Sequence, residues 1–211
     1  MATEASQEAV FPLLSISRLR MGTDGIGVTT LVAGAGCPRR CRGGINKKLL
    51  NDAPAETVTA AELLDRVKID DLYFRTTGGG ITFGGGESLL HADFIAQFRK
   101  ICPPGWAIYA ETSLSVPLSS VVTASRCISV FIVDSKDMDD GIYRAYTGAN
   151  AERMKANLRY LVKTVGPDRI LVRVPLIPEY NTPADRERSV SELKSMGIEK
   201  LDLFDYIIRE E

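Results

Sequence analysis

Histidine is nearly missing: His91 is the one imidazole in 211 residues. A mechanism that needs histidine as acid or base has a single candidate, and its place at the start of a helical pattern reads as surface or capping. A surplus of positive charge is missing as well. The 26 Lys and Arg stand against 27 Asp and Glu, for a formal net charge of −1. Phosphate-dominated binding needs a basic excess on one surface, which sets nucleic acid aside as a partner. No apolar run approaches the roughly 20 residues that cross a bilayer, and MATEASQEAV has neither the charged start nor the apolar middle of a signal peptide. Both absences point to a cytoplasmic chain without membrane contact. Four cysteines, Cys37, Cys41, Cys102 and Cys127, are too few for the disulfide framework of a small secreted fold, so they read as thiols or metal ligands. Repeats, low-complexity tracts and Pro/Gly/Ser-rich linkers are absent. With 45% apolar and 25% charged residues, the expectation is one domain over 11–211 after a loose leader over 1–10.

Apolar runs that read as buried strands alternate with helical patterns, the signature of βα units around a parallel sheet. Strands are expected near 27–32, 81–83, 107–110, 128–133, 170–174 and 201–204, and helices at 60–67, 89–101, 117–124, 151–165 and 183–196. Asn150 is placed to cap the fourth helix, and Thr182 followed by Pro183 to start the fifth. Such alternation builds an open doubly wound sheet or a barrel, complete or partial, and either puts its chemistry at the carboxyl ends of the strands. What stands there is polar or glycine-rich. Cys37 and Cys41 follow the first strand, GGGE (84–87) the second and Glu111-Thr112-Ser113 the third. Asp134-Ser135-Lys136 follow the fourth, Arg173 ends the fifth, and Asp205-Tyr206 follow the sixth. Cys102 and Cys127 precede strands and so belong at the opposite end, as small inert thiols.

These residue types carry chemical meaning. Thiolates in the short loop CPRRC (37–41) are the soft ligands that an iron–sulfur cluster requires, and neighbouring cations favour the thiolate form. In GGGE, residues without side chains let the backbone approach a ligand closely, while Glu87 can receive an ammonium or simply begin a helix. Asp134 and Lys136 can serve a ligand or merely pair on one strand face. Arg39, Arg40, Arg42, Lys47 and Lys48 read as a solvated basic face, or one that meets an acidic partner. TTGGGITFGGGES matches neither a P-loop nor a dinucleotide-binding turn.

Taken in order, GCPRRC (36–41), ITFGGGESLL (81–90), YAETSLSVP (109–117), FIVDSKDMDDGIYRAYTG (131–148) and RVPLIPEYNTPADRE (173–187) resemble the radical S-adenosylmethionine enzymes, in their glycyl-radical-enzyme activating branch. The resemblance implies a (β/α)6 partial TIM-type barrel of parallel strands and a [4Fe–4S] cluster held by Cys37 and Cys41. It implies reductive cleavage of S-adenosylmethionine, hydrogen abstraction from a glycine of a glycyl radical enzyme, and a flavodoxin- or ferredoxin-type electron donor. It also implies cofactor contacts from Gly85, Gly86, Glu87, Glu111, Thr112, Asp134, Lys136 and Arg173, and sets Lys136 beside the two cysteines as a candidate catalytic residue.

The sequence departs from the family's pattern in two places. Gly44 occupies the third cysteine position, so the element reads C-x3-C-x2-G. Asn46, Asp52, a small molecule, or the same two cysteines of a second subunit in a homodimer stay open as sources of further ligands. In LFDYII (203–208), Asp205 and Ile207 stand where the family carries proline and histidine, and the chain stops at Glu211, earlier than members usually do. No cysteine lies between 45 and 101, hence no inserted ferredoxin-like module is expected. Two readings therefore stand: an activase-type enzyme with an unusually ligated cluster, and a degenerate relative acting as a cofactor-binding or regulatory partner. A two-cysteine zinc or redox protein is a distant third, since structural zinc wants four ligands.

Overall fold

The computed structural model describes residues 8–42 and 54–206. Its first two strands fold back on each other: β1 (Val10–Met21) and β2 (Val28–Gly34) pair antiparallel, and the short β3 (Glu56–Thr59) lies antiparallel along the start of β1. From β2 onward the pairing turns parallel. β4 (Gly80–Gly85), β5 (Ala107–Thr112), β6 (Val130–Asp134), β7 (Ile170–Leu176) and β8 (Leu201–Asp205) follow side by side. The sheet runs β3-β1-β2-β4-β5-β6-β7-β8 and does not close. The six parallel strands coincide with the six expected ones, and the fold is a mixed α/β partial barrel.

Among the described residues the helices are α1 (Ala60–Val67), α2 (Asp71–Thr77), α3 (Ala92–Ile101), α4 (Leu118–Ser125), α5 (Asp140–Thr147), α6 (Glu152–Val165) and α7 (Pro183–Ser195). α1 starts from a capping box between Thr59 and Glu62, and α7 from one between Thr182 and Asp185 with Pro183 in its first turn. Asn150 does not cap α6. The preceding loop is fixed instead by Asp140, whose carboxylate accepts the Ala151 N–H at 2.7 Å, so the side chain expected at the cap is not needed there.

Four elements, β1, β3, α2 and α5, are not among those expected from the sequence. β1 contains Pro12 and has register irregularities between Leu13 and Ser15 and between Ser17 and Arg20, which erase the period of two that marks a strand. β3 is four residues long, and α2 and α5 span only seven and eight. Of the expected leader, residues 1–7 lie outside the described residues; Ala9 N–H donates to Gln97 Oε1 at 3.0 Å and Val10 begins β1.

Alternation along β4 sends Ile81 and Phe83 to the helices, where Phe83 meets Phe11, Phe94 and Phe98 with ring centroids 5.6–6.3 Å apart. Each of these rings is essentially inaccessible to water, and burying one contributes roughly 2 kcal/mol. The opposite face of β4 looks inward. There the β1–β2 turn folds against the sheet: Thr82 Oγ1 donates to the Asp24 carbonyl at 2.5 Å and Tyr109 Oη to that of Ile26 at 3.3 Å. Gly25 lies flat on the Tyr109 ring, where a Cβ would come within 2.8 Å. No described helix is long and apolar enough to cross a membrane.

Candidate functional site

The carboxyl ends of the strands are knitted together by backbone. Gly86 N–H donates to the Gly34 carbonyl at 2.9 Å and Glu87 N–H to that of Gly36 at 2.8 Å, so the turn after β4 is bonded to the chain just before Cys37. Side chains would prevent this approach. A Cβ on Gly86 would run into the Gly36 carbonyl oxygen, and Gly85 sits at φ +88°. On its other side the cysteine loop docks on the end of α5, where Arg40 and Arg42 donate their N–H groups to the carbonyls of Thr147 (3.1 Å) and Tyr146 (3.0 Å). These are last-turn carbonyls that the helix itself leaves without partners.

Cys37 is exposed, Cys41 is half-buried, and both are free thiols. Partial desolvation of the sulfur pushes the Cys37 thiol up; the Arg39 N–H and charge oppose this, while Glu87 and Cys41 add to it. The Glu87–Gly36 bond sets the turn after β4 beside the backbone that leads into Cys37.

The two carboxylates nearest the mouth that the strand tips form are used differently. Glu87 is buried, and its oxygens are fully engaged: Oε1 accepts from Thr112 Oγ1 (2.6 Å) and Leu89 N–H (3.2 Å), Oε2 from Ser113 N–H (2.8 Å) and Ser113 Oγ. It ties the tip of β4 to the tip of β5. Asp134 Oδ2 accepts from Lys136 Nζ at 2.5 Å, but Oδ1 is buried without a partner. Burial works against the Asp134 charge, yet Lys136, Arg39 and Arg173 outweigh it and hold the carboxyl below its ordinary value. Lys136 is itself buried in a left-handed conformation (φ +61°), donates to Tyr206 Oη at 2.7 Å and lies 5.1 Å from the Tyr206 ring and 5.9 Å from that of Tyr146.

Two other expected residues pair with each other. Arg173 Nη1 donates to Glu111 Oε1 at 2.7 Å and Nη2 donates to the Thr23 carbonyl, with Asp202 3.5 Å from Nε. Burial pushes the Glu111 carboxyl up despite Arg173. Gly84 faces this pair: a Cβ there would lie 2.5 Å from Glu111 Oε2.

Arg39 corrects the expectation of a solvated basic face. Arg40 and Arg42 are exposed, but Arg39 turns inward, its Nη1 donating to Tyr143 Oη at 3.3 Å while its Nε is buried without an acceptor. Nothing in the run CPRRCR separates the three arginines; only the docking on α5 does. Tyr143 and Tyr146, three apart just before the Gly148 cap of α5, lie within the segment 131–148, which does not single them out as site residues, whereas Tyr206 stands at the rim where the end of the sixth strand puts it. His91 takes the N-cap position of α3, as expected, but its side chain makes no capping bond: the half-buried ring packs 5.1 Å from that of Phe11 and Nε2 contacts the Ala35 carbonyl at 3.3 Å, behind the cysteine loop. Cys102 and Cys127 stay at the far end as expected, with burial pushing the Cys127 thiol up to about 11.

Comparison with known proteins matches residues 23–106 to the family described as "4Fe-4S single cluster domain". The (2S)-3-sulfopropanediol dehydratase activating enzyme of Klebsiella oxytoca is 32% identical over 60% of this chain and 39% of its own length. The pyruvate formate-lyase-activating enzyme of Clostridium pasteurianum is 28% identical over 87% of this chain and 77% of its own, and the pyruvate formate-lyase 2-activating enzyme of Escherichia coli 27% identical over 96% and 80%. These relatives are activating enzymes, and this chain is similar to them over most of its length. It spans well under half of the first of these relatives and about four fifths of the other two. Among solved structures, Streptococcus suis SuiB bound to S-adenosylmethionine shares the fold at TM-score 0.63 and 13% identity, over 82% of this chain and 39% of that one. The AdoMet-bound anSMEcpe shares it at 0.57 and 15%, over 82% and 47%.

For the cluster and S-adenosylmethionine that the sequence resemblance implies, the polar half of the mouth fits and the metal half is short. Two buried polar atoms, Asp134 Oδ1 and Arg39 Nε, await partners there. Among the described residues, however, no group of three or more His, Cys, Asp or Glu is placed to hold a metal ion. Gly44, Asn46, Asp52, Lys47, Lys48 and Ile207 lie outside the described residues.

Proposed function

We propose that this chain is an activase-type radical S-adenosylmethionine protein, which takes the cofactor at the strand tips beside an iron–sulfur cluster anchored by Cys37 and Cys41. The observation that carries this reading is the bonding of the glycine turn to the cysteine loop, Gly86 to Gly34 and Glu87 to Gly36, because it brings thiols and cofactor turn to one mouth. Bound together, the two groups supply reductive cleavage of the sulfonium and hydrogen abstraction from a glycine of a partner enzyme. A flavodoxin- or ferredoxin-type protein is the electron source, and the cytoplasm the compartment.

The chain's own residues have separable duties in this reading. Gly85 and Gly86 give the cofactor backbone to lie against. Glu87 and Thr112 hold that turn in place through each other instead of offering a free carboxylate. Glu111 and Arg173 neutralise one another on the inner face, and Lys136 with Asp134 presents a fixed pair at the rim.

The two-thiol donor set favours a second reading, a relative that keeps the pocket and works as a binding or regulatory partner, because a cubane cluster is ordinarily held by more thiolates than Cys37 and Cys41 supply. Anaerobic reconstitution followed by iron and sulfide counting separates the two. About four irons per chain, with 5′-deoxyadenosine released on reduction, supports the activase. Absence of iron together with retained cofactor binding supports the partner role.

A further inference from the structure

A residue other than glycine rarely keeps a positive φ unless its surroundings hold it there. Among the described residues Leu19, Leu114, Lys136 and Glu179 do so, and of these Lys136 is the one that is both charged and buried. Across it, Asp137 N–H donates to the Ser135 carbonyl at 2.8 Å. A bond from i+2 back to i, closed over a residue at φ +61°, makes the rare and strained form of the γ-turn.

Both flanks of that turn are fixed, and to different elements. On the near side Ser135 donates its N–H (3.2 Å) and its Oγ (2.9 Å) to one carbonyl, that of Arg173 on β7. On the far side stands Asp137, inaccessible to water. Its Oδ1 accepts from Asp139 N–H at 2.8 Å and from Ser189 Oγ of α7 at 3.0 Å, and its Oδ2 accepts from Asn181 Nδ2 at 2.9 Å. Those partners are themselves tied down. Ser189 Oγ accepts the Met138 N–H at 2.9 Å, and Asn181 accepts from the Ile177 N–H (2.6 Å) and donates to the Pro175 carbonyl (3.1 Å) around the end of β7. Asp139 caps α5. One buried carboxylate therefore joins the start of α5, the middle of α7 and the loop after β7, one residue away from Lys136.

We infer that Asp137 is a positioning residue: by bracing those three elements it keeps the γ-turn shut and so aims the Lys136 ammonium at Asp134 Oδ2 (2.5 Å) and Tyr206 Oη (2.7 Å) on the rim. Without the brace the turn relaxes toward negative φ and carries the lysine side chain off both partners. The four-carbon stem of lysine is flexible, so its aim is set by the backbone beneath it. What the lysine serves at the rim rests on the function proposed above; that Asp137 aims it does not.

Nitrogen-15 NMR of the side-chain ammonium groups in the full chain tests this, together with calorimetric titration of S-adenosylhomocysteine. A buried ammonium with two partners gives a signal apart from those of exposed lysines, and its loss in Lys136→Met assigns it. Asp137→Asn, which can turn an NH2 group toward the Asn181 amide, is expected to move that signal into the exposed set while circular dichroism shows the fold retained. The same variant is expected to weaken S-adenosylhomocysteine binding about 10-fold. In a Lys136→Met background it should change that affinity by less than about 2-fold, because the lysine through which it acts is gone. If Asp137→Asn fails to fold, Ser189→Ala, which removes one of the three donors, decides by the same signal. An unmoved Lys136 signal in the folded variant overturns the inference, as does the lack of a separate Lys136 signal in the native chain. Equal losses of affinity with and without the lysine, the mark of a purely structural defect, overturn it too. A native chain that binds no S-adenosylhomocysteine, with or without anaerobic reconstitution, removes the function proposed above, and the Lys136 signal alone then decides on Asp137.

Discussion

The tips of β4 and β6 each present a carboxylate to the same mouth, buried at the first and half-buried at the second, and they do opposite things. Glu87 at the first is saturated by four donors from the neighbouring strand and its own turn; Asp134 at the second keeps one oxygen without a partner. A carboxylate in a motif is thus either the glue of a pocket or its bait, and only the count of donors around it tells which.

The largest effect expected from this contrast is on stability at β4. Glu87→Ala strands the Thr112 and Ser113 hydroxyls and two N–H groups in a buried place, and should cost about 4 kcal/mol in urea unfolding. A loss below about 1 kcal/mol would mean that the tips are held by something else. Gly86→Ala comes next, at about 2 kcal/mol, because the Gly36 carbonyl must give way; fluorescence labelling should also find Cys37 more reactive as its loop shifts. Asp134→Asn is expected to cost only about 1 kcal/mol while abolishing most cofactor affinity, the reverse of Glu87→Ala. The smallest is Tyr206→Phe, which keeps the ring over Lys136 and loses one hydroxyl, about 0.5–1 kcal/mol.

Acid sharpens the contrast within the inner face. The Asp134 carboxyl is held low, so the stability its charge contributes is complete above the ordinary aspartate range and lost as pH falls through its depressed value. Burial holds Glu111 high, so its contribution runs the other way and declines as pH rises through its raised value. Unfolding curves taken between about pH 3 and pH 7 should therefore show the gap between the native chain and Asp134→Asn closing in acid. The gap to Glu111→Gln should move in the native chain's favour there. Parallel curves would contradict both.

Much of this architecture was readable from residues because β2, β4, β5, β6 and β7 are largely buried and announce themselves as apolar runs ended by glycine or polar residues. The rim residues followed, since the end of each strand fixes where its next residues stand. What escaped had physical reasons. β1 is irregular around Pro12, α5 is a two-turn helix whose Tyr143 and Tyr146 reach the site only through tertiary contacts, and Arg39 differs from Arg40 and Arg42 only by which side of a docked loop it leaves. Glu87 stands at the strand tip where the sequence puts it, but as a closed junction and not an open receptor, because the donors of Thr112 and Ser113 reach it across a strand gap that no local pattern encodes.

The turn between β1 and β2 reaches from the antiparallel end of the sheet to Tyr109 on β5 and Arg173 on β7. An unclosed sheet has no hoop to set its curvature, so this short segment acts as a brace wedged inside the arch. Lengthening it would let the arch splay, carrying the thiols away from Asp134 while every strand stayed folded.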